Sequence, residues 1–184
     1  MASSDSLHDL AEILLGCVCE HMDTLEDHTC PCVVYVAPAA PALDTEACCN
    51  CKTDSGLLTV HLGNVYPSDT FPTQALKIDL CRPTFWIAEY LITVARCVPV
   101  LDKRGRMPDP DALAATAAKL SRDRYAVLQA LACCLPTREV ARKRKRQVSL
   151  AGYRSLGETG GCVGFEIRAL VEVDGFCICP EDES

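Results

Sequence analysis

Between positions 163 and 174 one parity of the chain carries Val163, Phe165, Ile167, Ala169, Val171 and Val173, and the other carries Glu166, Arg168, Glu172 and Asp174. Successive side chains of a strand point to opposite faces. This run therefore specifies a strand with one apolar and one wet face, as in an antiparallel sheet packed on one side only. A second run, residues 85–98, sets Trp86, Ala88, Tyr90, Ile92 and Val94 against Glu89 and Thr93, and Pro99 ends it. Leu58, Val60, Leu62 and Tyr66 predict one face of a third strand, with Thr59, His61 and Gly63 opposite. Shorter patterns at residues 32–36 and 148–155 add one strand each, and residues 157–161 read as a turn.

Two segments carry the helical period instead. Ser6 and Asp9 have capping-box spacing ahead of Leu7, Leu10, Leu14, Cys17 and Val18, so a helix is expected over residues 5–22. Asp109-Pro110 supplies an N-cap and a first-turn proline. The stripe Leu113, Ala117, Leu120, Val127, Leu128, Leu131 and Leu135 follows, and Pro136 stops it. Helix, three strands, long helix and two strands, with no crossover helix between consecutive strands, specify the α+β class. The expected architecture is a mainly antiparallel sheet of four to five strands, its apolar face covered by the N-terminal and central helices. Residues 1–184 form one domain, with 1–4 and 180–184 frayed.

Charge and cysteine content narrow the function classes. The formal net charge of −7 argues against non-specific wrapping of nucleic acid. One basic run, Arg142, Lys143, Arg144, Lys145 and Arg146, stands apart; it faces a polyanion or an acidic neighbour, or is a solvated loop. The start of the chain lacks a signal-peptide pattern, and no apolar run approaches the roughly 18 residues of a membrane span. Synthesis in the cytoplasm, with thiols reduced, is the expectation, disulfides forming later if the protein joins a particle. There are fourteen cysteines. Cys17, Cys19, His21, His28, Cys30 and Cys32 cluster in sequence, but their C-x-C spacing is not that of zinc knuckles, and Cys48 to Cys51 is the only C-x-x-C spacing. That pair sits in a polar loop before a strand, which is not the context of a thioredoxin-like motif. Cys81, Cys97, Cys134 and Cys162 lie at element ends, where distant segments converge, and are the candidate disulfide cysteines; a buried thiol acting as a small hydrophobe is the other reading. No nucleophile elbow, zincin motif or complete phosphate loop is present. Neither an enzyme nor a cofactor is expected.

The order of landmarks resembles a family. An N-terminal amphipathic helix and a strand at Val33–Val36 come first, followed by Cys48-Cys49 leading into a strand. Cys81-Arg-Pro-Thr-Phe-Trp86 then enters the strand that closes on Arg96-Cys97-Val98-Pro99. Asp102-x-x-Gly105-Arg-x-Pro108 precedes the Ala-rich helix, and Leu156-Gly157-Glu-x-Gly160-Gly161-Cys162-x-Gly164 precedes the last strand. In this order and spacing, over most of residues 5–174, the chain resembles the small tail-terminator or head-to-tail connector proteins of long-tailed (siphovirus) phages of actinobacteria. The basic run and Phe176-Cys-Ile-Cys179 have no counterpart in that pattern.

The resemblance implies a non-enzymatic virion protein of the phage neck. Tail terminators form a hexameric ring that caps the tail tube and meets the neck or connector proteins. Genomic DNA passes through the opening without sequence-specific binding, and no membrane is involved. Such a ring needs contact segments, expected at residues 67–83, 100–108 and 137–147, and Arg142 to Arg146 are the candidates for the lumen or a subunit contact. A head-completion or stopper protein of the neck is the alternative within the class. Outside it stand a Cys/His metal-binding interaction module and a thiol–disulfide enzyme.

Overall fold

A computed structural model describes residues 4–25, 30–43, 48–49, 56–75, 85–101, 104–136 and 146–173. The elements are α1 (Ser4–Asp23), β1 (Val33–Val36), β2 (Gly56–Ser68), β3 (Phe85–Cys97), α2 (Pro110–Gln129), β4 (Val148–Thr159) and β5 (Cys162–Val173). A π-helical segment, Ala130–Cys134, extends α2. The five strands form one sheet in the order β1-β2-β3-β5-β4. Every neighbouring pair is antiparallel except β1 with β2, which is parallel. The α+β class and both helices follow the sequence pattern. The parallel pair is new, made possible by the long connection between Val36 and Gly56.

The core lies on one face of the sheet. Leu58 and Val60 of β2, Ala88, Tyr90, Ile92 and Val94 of β3, and Phe165, Ile167, Ala169 and Val171 of β5 meet Leu10, Leu14, Cys17 and Val18 of α1 and Ala126, Val127 and Leu131 of the second helix. Fully burying a residue of the Leu, Ile or Phe size contributes about 1.5–3 kcal/mol, so this two-layer contact holds the fold. The Tyr90 hydroxyl, deep in that layer, donates to the Leu7 carbonyl at 2.9 Å and so carries no unsatisfied polar atom into the core.

Two irregularities change what the period implied. Between Leu62 and Val65 the β2–β3 register shifts, so Val65 pairs with Ala88 while Tyr66 pairs with Ile87. The bulge moves Tyr66 off the face it would share with Leu58 and puts Val65 there instead. At the other hairpin the turn is only Gly160-Gly161, with φ of 59° and 77°. Two consecutive left-handed residues make the tight primed turn that fits strand twist. Gly157, expected in the turn, lies within β4, and a second register shift between Leu156 and Thr159 absorbs the extra residues.

At its start α2 follows the expected pattern. Pro110 is its first residue, and the Asp109 carboxylate accepts from the Asp111 amide at 3.1 Å. All the buried residues of this helix, Asp123, Ala126 and Val127, lie in its last two turns.

Candidate interaction surfaces and the disulfide frame

Three of the four candidate cysteines are in disulfides: Cys134 with Cys17, Cys162 with Cys48, and Cys97 with Cys49. Cys81 lies outside the described residues. Cys97 and Cys162 face each other across β3 and β5, yet they do not join. Each takes one member of the Cys48-Cys49 dipeptide, which pins that loop to the end of the sheet. Leu57, Ala95, Cys48 and Cys162 form a small second core around this staple. The dipeptide, read from the sequence as loop, is helical and sits over the polar side of the sheet. Cys17–Cys134 ties α1 to the π-helical end of the other helix, and Cys19–Cys30 closes the loop after α1.

These bonds remove the metal reading's ligands. Cys17, Cys19, Cys30 and Cys32 are all disulfide-bonded, and the His21 imidazole pairs through Nδ1 with the Cys17 carbonyl at 3.0 Å. His28 lies outside the described residues. Among those described, no cluster of three or more His, Cys, Asp or Glu side chains has the geometry of a metal site.

Of the basic run, Arg142, Lys143, Arg144 and Lys145 lie outside the described residues. Arg146 is half-buried, and its guanidinium donates to the Glu172 carbonyl at 3.3 Å. It anchors the entry to β4 against the end of β5 and is not a free cation facing a lumen.

The wet face of the sheet is a lattice of paired charges. Arg168 bonds Glu89 at 2.6 Å, Asn64 donates to the same carboxylate at 2.9 Å, and Arg154 meets Glu166 at 3.3 Å. Gly152, which has no neighbour where a side chain would stand, leaves a notch of about 140 Å³ floored by Glu166 and flanked by Arg154 and Arg168. Each guanidinium already faces a carboxylate, so the notch offers an anion no net charge. Thr59, Thr93 and His61 lie buried on the same face, and Thr59 Oγ1, Thr93 Oγ1 and His61 Nδ1 have no hydrogen-bond partner among the described residues. Burial pushes the His61 pKa below the ordinary imidazole value, and nearby Glu166 pulls it partly back.

A buried ion pair occupies the apolar side. Arg96, at the end of β3, forks onto Asp123 of α2, with Nε to Oδ2 at 2.8 Å and the terminal nitrogen to Oδ1 at 2.6 Å. Their side chains are 2% and 0% exposed. Gly56 makes room: a Cβ there would stand 2.8 Å from Arg96 Cδ. Sequence reading missed this pair, because alternation marks Arg96 only as a charge on an apolar parity. That misplaced charge was the available signal, since a buried arginine requires a partner.

Among the described residues, single large apolar side chains are exposed at Tyr35 and Leu62, and several together in two further regions. No described residue from 99 to 119 is buried. Within that stretch Val100, Leu101 and Met107 are 51%, 56% and 78% exposed. It comprises the loop before α2 and the first turns of α2 itself, an arm that leaves the core. The second region is the β4 edge. Arg124 of α2 stacks on the Tyr153 ring at 4.4 Å from its centroid, and Tyr153 stacks on Phe165. Leu128, one turn beyond Arg124, and Leu150, on the same side of β4 as Tyr153, are exposed. The register shift between Leu150 and Gly152 keeps Leu150 and Tyr153 on one side despite their odd spacing. Beyond the Arg124–Tyr153 contact, the exposed Leu128 and Leu150 make an apolar shelf along β4, the edge strand of the sheet among the described residues.

No protein-family model matches the chain, and no curated protein matches it. No helix among the described residues is long and apolar enough to cross a membrane.

Proposed function

We propose that this protein is a structural subunit of the phage neck: a tail terminator that assembles as a hexameric ring on the end of the tail tube and joins it to the connector. The observation that carries the reading is the pair of exposed apolar regions, the arm at 99–119 and the β4 edge, on a domain whose core is otherwise closed. A monomer rarely leaves contiguous apolar surface in water, and such patches mark sites of association. The ordered landmarks give this association its setting. The disulfides support residence in a particle outside the reducing cytoplasm, and the DNA reading for Arg142 to Lys145 belongs to the same proposal.

The test is the native mass of the purified protein, alone and after mixing with assembled tail tubes, read by mass photometry and negative-stain imaging. A ring of about six subunits, or a cap at one end of the tube, is the expected result. A protein that ignores tubes but seats on the head-side connector would replace the terminator with the stopper. Substituting residues 142–145 by Ser, which spares the Arg146 anchor, should leave the fold intact and lower the yield of infectious particles. An unchanged yield would make the run a solvated loop.

A further inference from the structure

We propose that Cys48, Cys49, Cys97 and Cys162 form a thiol–disulfide exchange site. It takes two electrons from a dithiol, such as a protein of the thioredoxin class, and releases both tethers of the Cys48-Cys49 dipeptide together. The proposal is independent of the assembly reading above.

Cys97 and Cys162 are a cross-strand pair of β3 and β5. The Val98 amide donates to the Gly161 carbonyl at 2.9 Å. A bond from the residue after one partner to the residue before the other marks the pair between them as non-hydrogen-bonded. Cα atoms in such a pair stand about 4.5 Å apart, the closest approach two strands allow. Disulfides span Cα separations of about 4.4–6.8 Å. The two bonds present, Cys49–Cys97 and Cys48–Cys162, span 5.0 and 6.1 Å. Cys97 therefore has two cysteines within bonding reach, and so has Cys162. Four sulfurs share three pairings, and the third is Cys97–Cys162.

Burial sets the order of events. Cys48 and Cys162 are both 0% exposed, packed with Leu57 and Ala95. Cys49 and Cys97 are half-buried. An external thiolate must reach a sulfur to attack it, so Cys49–Cys97 is the bond it opens. It bonds to Cys49 Sγ, and Cys97 leaves as a thiolate. The reductant's second thiol then displaces Cys49 and closes the reductant's own disulfide, so the protein has gained two electrons and two protons. The Gly161 carbonyl, 3.4 Å from Cys49 Sγ, is in place to accept the new S–H. Cys97 now faces Cys162 across the strands. Its thiolate attacks Cys162 Sγ: a Cys97–Cys162 bond forms and the Cys48–Cys162 bond breaks. Cys48 leaves with the electron pair and takes up the proton that Cys97 gave up. This second step consumes no reductant. The buried disulfide is opened from within, by the neighbour it faces, and β3 stays bonded to β5. Without Cys97 opposite Cys162, one reducing event would free one tether and leave the other. With it, the dipeptide is held twice or not at all.

Trapping the two-electron state tests the site. The oxidised full-length protein is treated with a limiting amount of thioredoxin and its reductase, quenched in acid, alkylated with N-ethylmaleimide and mapped by mass spectrometry without further reduction. The first species reduced at this site should carry a Cys97–Cys162 cross-link, with Cys48 and Cys49 both alkylated. A surviving Cys48–Cys162 or Cys49–Cys97 bond in that species would overturn the proposal, and so would four alkylated cysteines with no cross-linked species before them. C49S/C97S keeps the buried bond and removes its internal attacker. Cys48–Cys162 should then open at least about tenfold more slowly than in wild type, because an intramolecular attack has been replaced by an external one; an equal rate would overturn the relay. C48S/C49S should keep a native circular-dichroism spectrum and form Cys97–Cys162 in oxidised glutathione. A folded C48S/C49S with both strand cysteines alkylated after that treatment would show that the cross-strand pair is out of bonding reach.

Discussion

Removing Asp123 should destabilise the domain more than any other single change at a charged residue. The carboxylate is fully buried and takes both hydrogen bonds of the Arg96 fork. Asp123→Ala leaves a guanidinium in the core with no counter-charge. Arg96 is itself 1% exposed, so its guanidinium stays in the core. Breaking a buried pair by deleting one partner costs about 3–5 kcal/mol. For a chain of this size, 1 kcal/mol moves the melting temperature by roughly 2–4 °C, so the midpoint should fall on the order of 10 °C. The pair as a whole is another matter, since desolvating both ions offsets most of their attraction. R96M/D123L should therefore recover most of the loss, and by the same reasoning it falls between neutral and about 4 kcal/mol more stable than wild type. Urea denaturation under non-reducing conditions, with the three proteins compared at equal slope, measures all of this. A loss below about 1 kcal/mol in D123A, the range of an exposed pair, would refute the burial argument. A double variant no better than the single would show that shape rather than charge is what the site requires.

Gly164→Ala should abolish folding or come close to it, because the added Cβ would run into the Val94 carbonyl and meet the Ala95 Cα at 2.9 Å, both backbone; a soluble variant with a native spectrum would put β5 farther from β3. His61 holds its proton less tightly when folded than unfolded, so the unfolded chain binds more protons and stability drops as the pH falls below the ordinary value of 6.5. His61→Gln should flatten the stability profile between about pH 7 and pH 5, and parallel profiles would remove His61 from the account. Alkylation without reductant should leave Cys48, Cys49, Cys97 and Cys162 unlabelled by mass spectrometry, and full labelling would show that the Cys48-Cys49 loop is not stapled.

How much of this was legible in the sequence depends on the range of the signal. Alternation at Val163–Val173 and Trp86–Val94 identified the core face residue by residue, because a period of two follows from backbone geometry alone. It failed at Tyr66 and Gly157, where a bulge adds a residue, and Gly63 inside the strand pattern was the local mark of the first of them. Cys97, Cys134 and Cys162 were picked out by their place at element ends, and each is bonded. Their partners could not be picked out: Cys97 and Cys162 are cross-strand neighbours, and only the placement of the loop at Cys48-Cys49 decides that they bond to it instead of to each other. Asp123 looked like one more polar position on an exposed helix. The arm was legible only in part. The loop at 100–108 stood out as irregular, but the helical stripe through Leu113 and Leu120 implied a helix packed along its whole length. That stripe is real, but among the described residues none in its first half, up to residue 119, is buried.

The place of the ion pair along α2 gives it a second consequence. Asp123 is the first buried residue of the helix, so the Arg96 fork is the last firm anchor before the arm leaves the core. Cys17–Cys134 holds the far end of the same rod. Two fixed points, about eleven residues and 16 Å apart, set the angle at which the arm projects. A head-to-tail contact closes into a ring only if each step turns through the same angle, about 60° for six subunits; a loosened rod would give a spread of angles and a mixture of open chains. Asp123→Asn tests this apart from stability. It keeps the volume and one acceptor but removes the negative charge and puts an NH2 donor against one arm of the Arg96 fork, and at low temperature most of it should remain folded. Its assemblies should be polydisperse where those of the wild type are uniform, while R96M/D123L, with a packed apolar joint, should restore a single size. Uniform rings from a folded D123N would show that the arm takes its angle from the neighbouring subunit and not from the anchor beneath it.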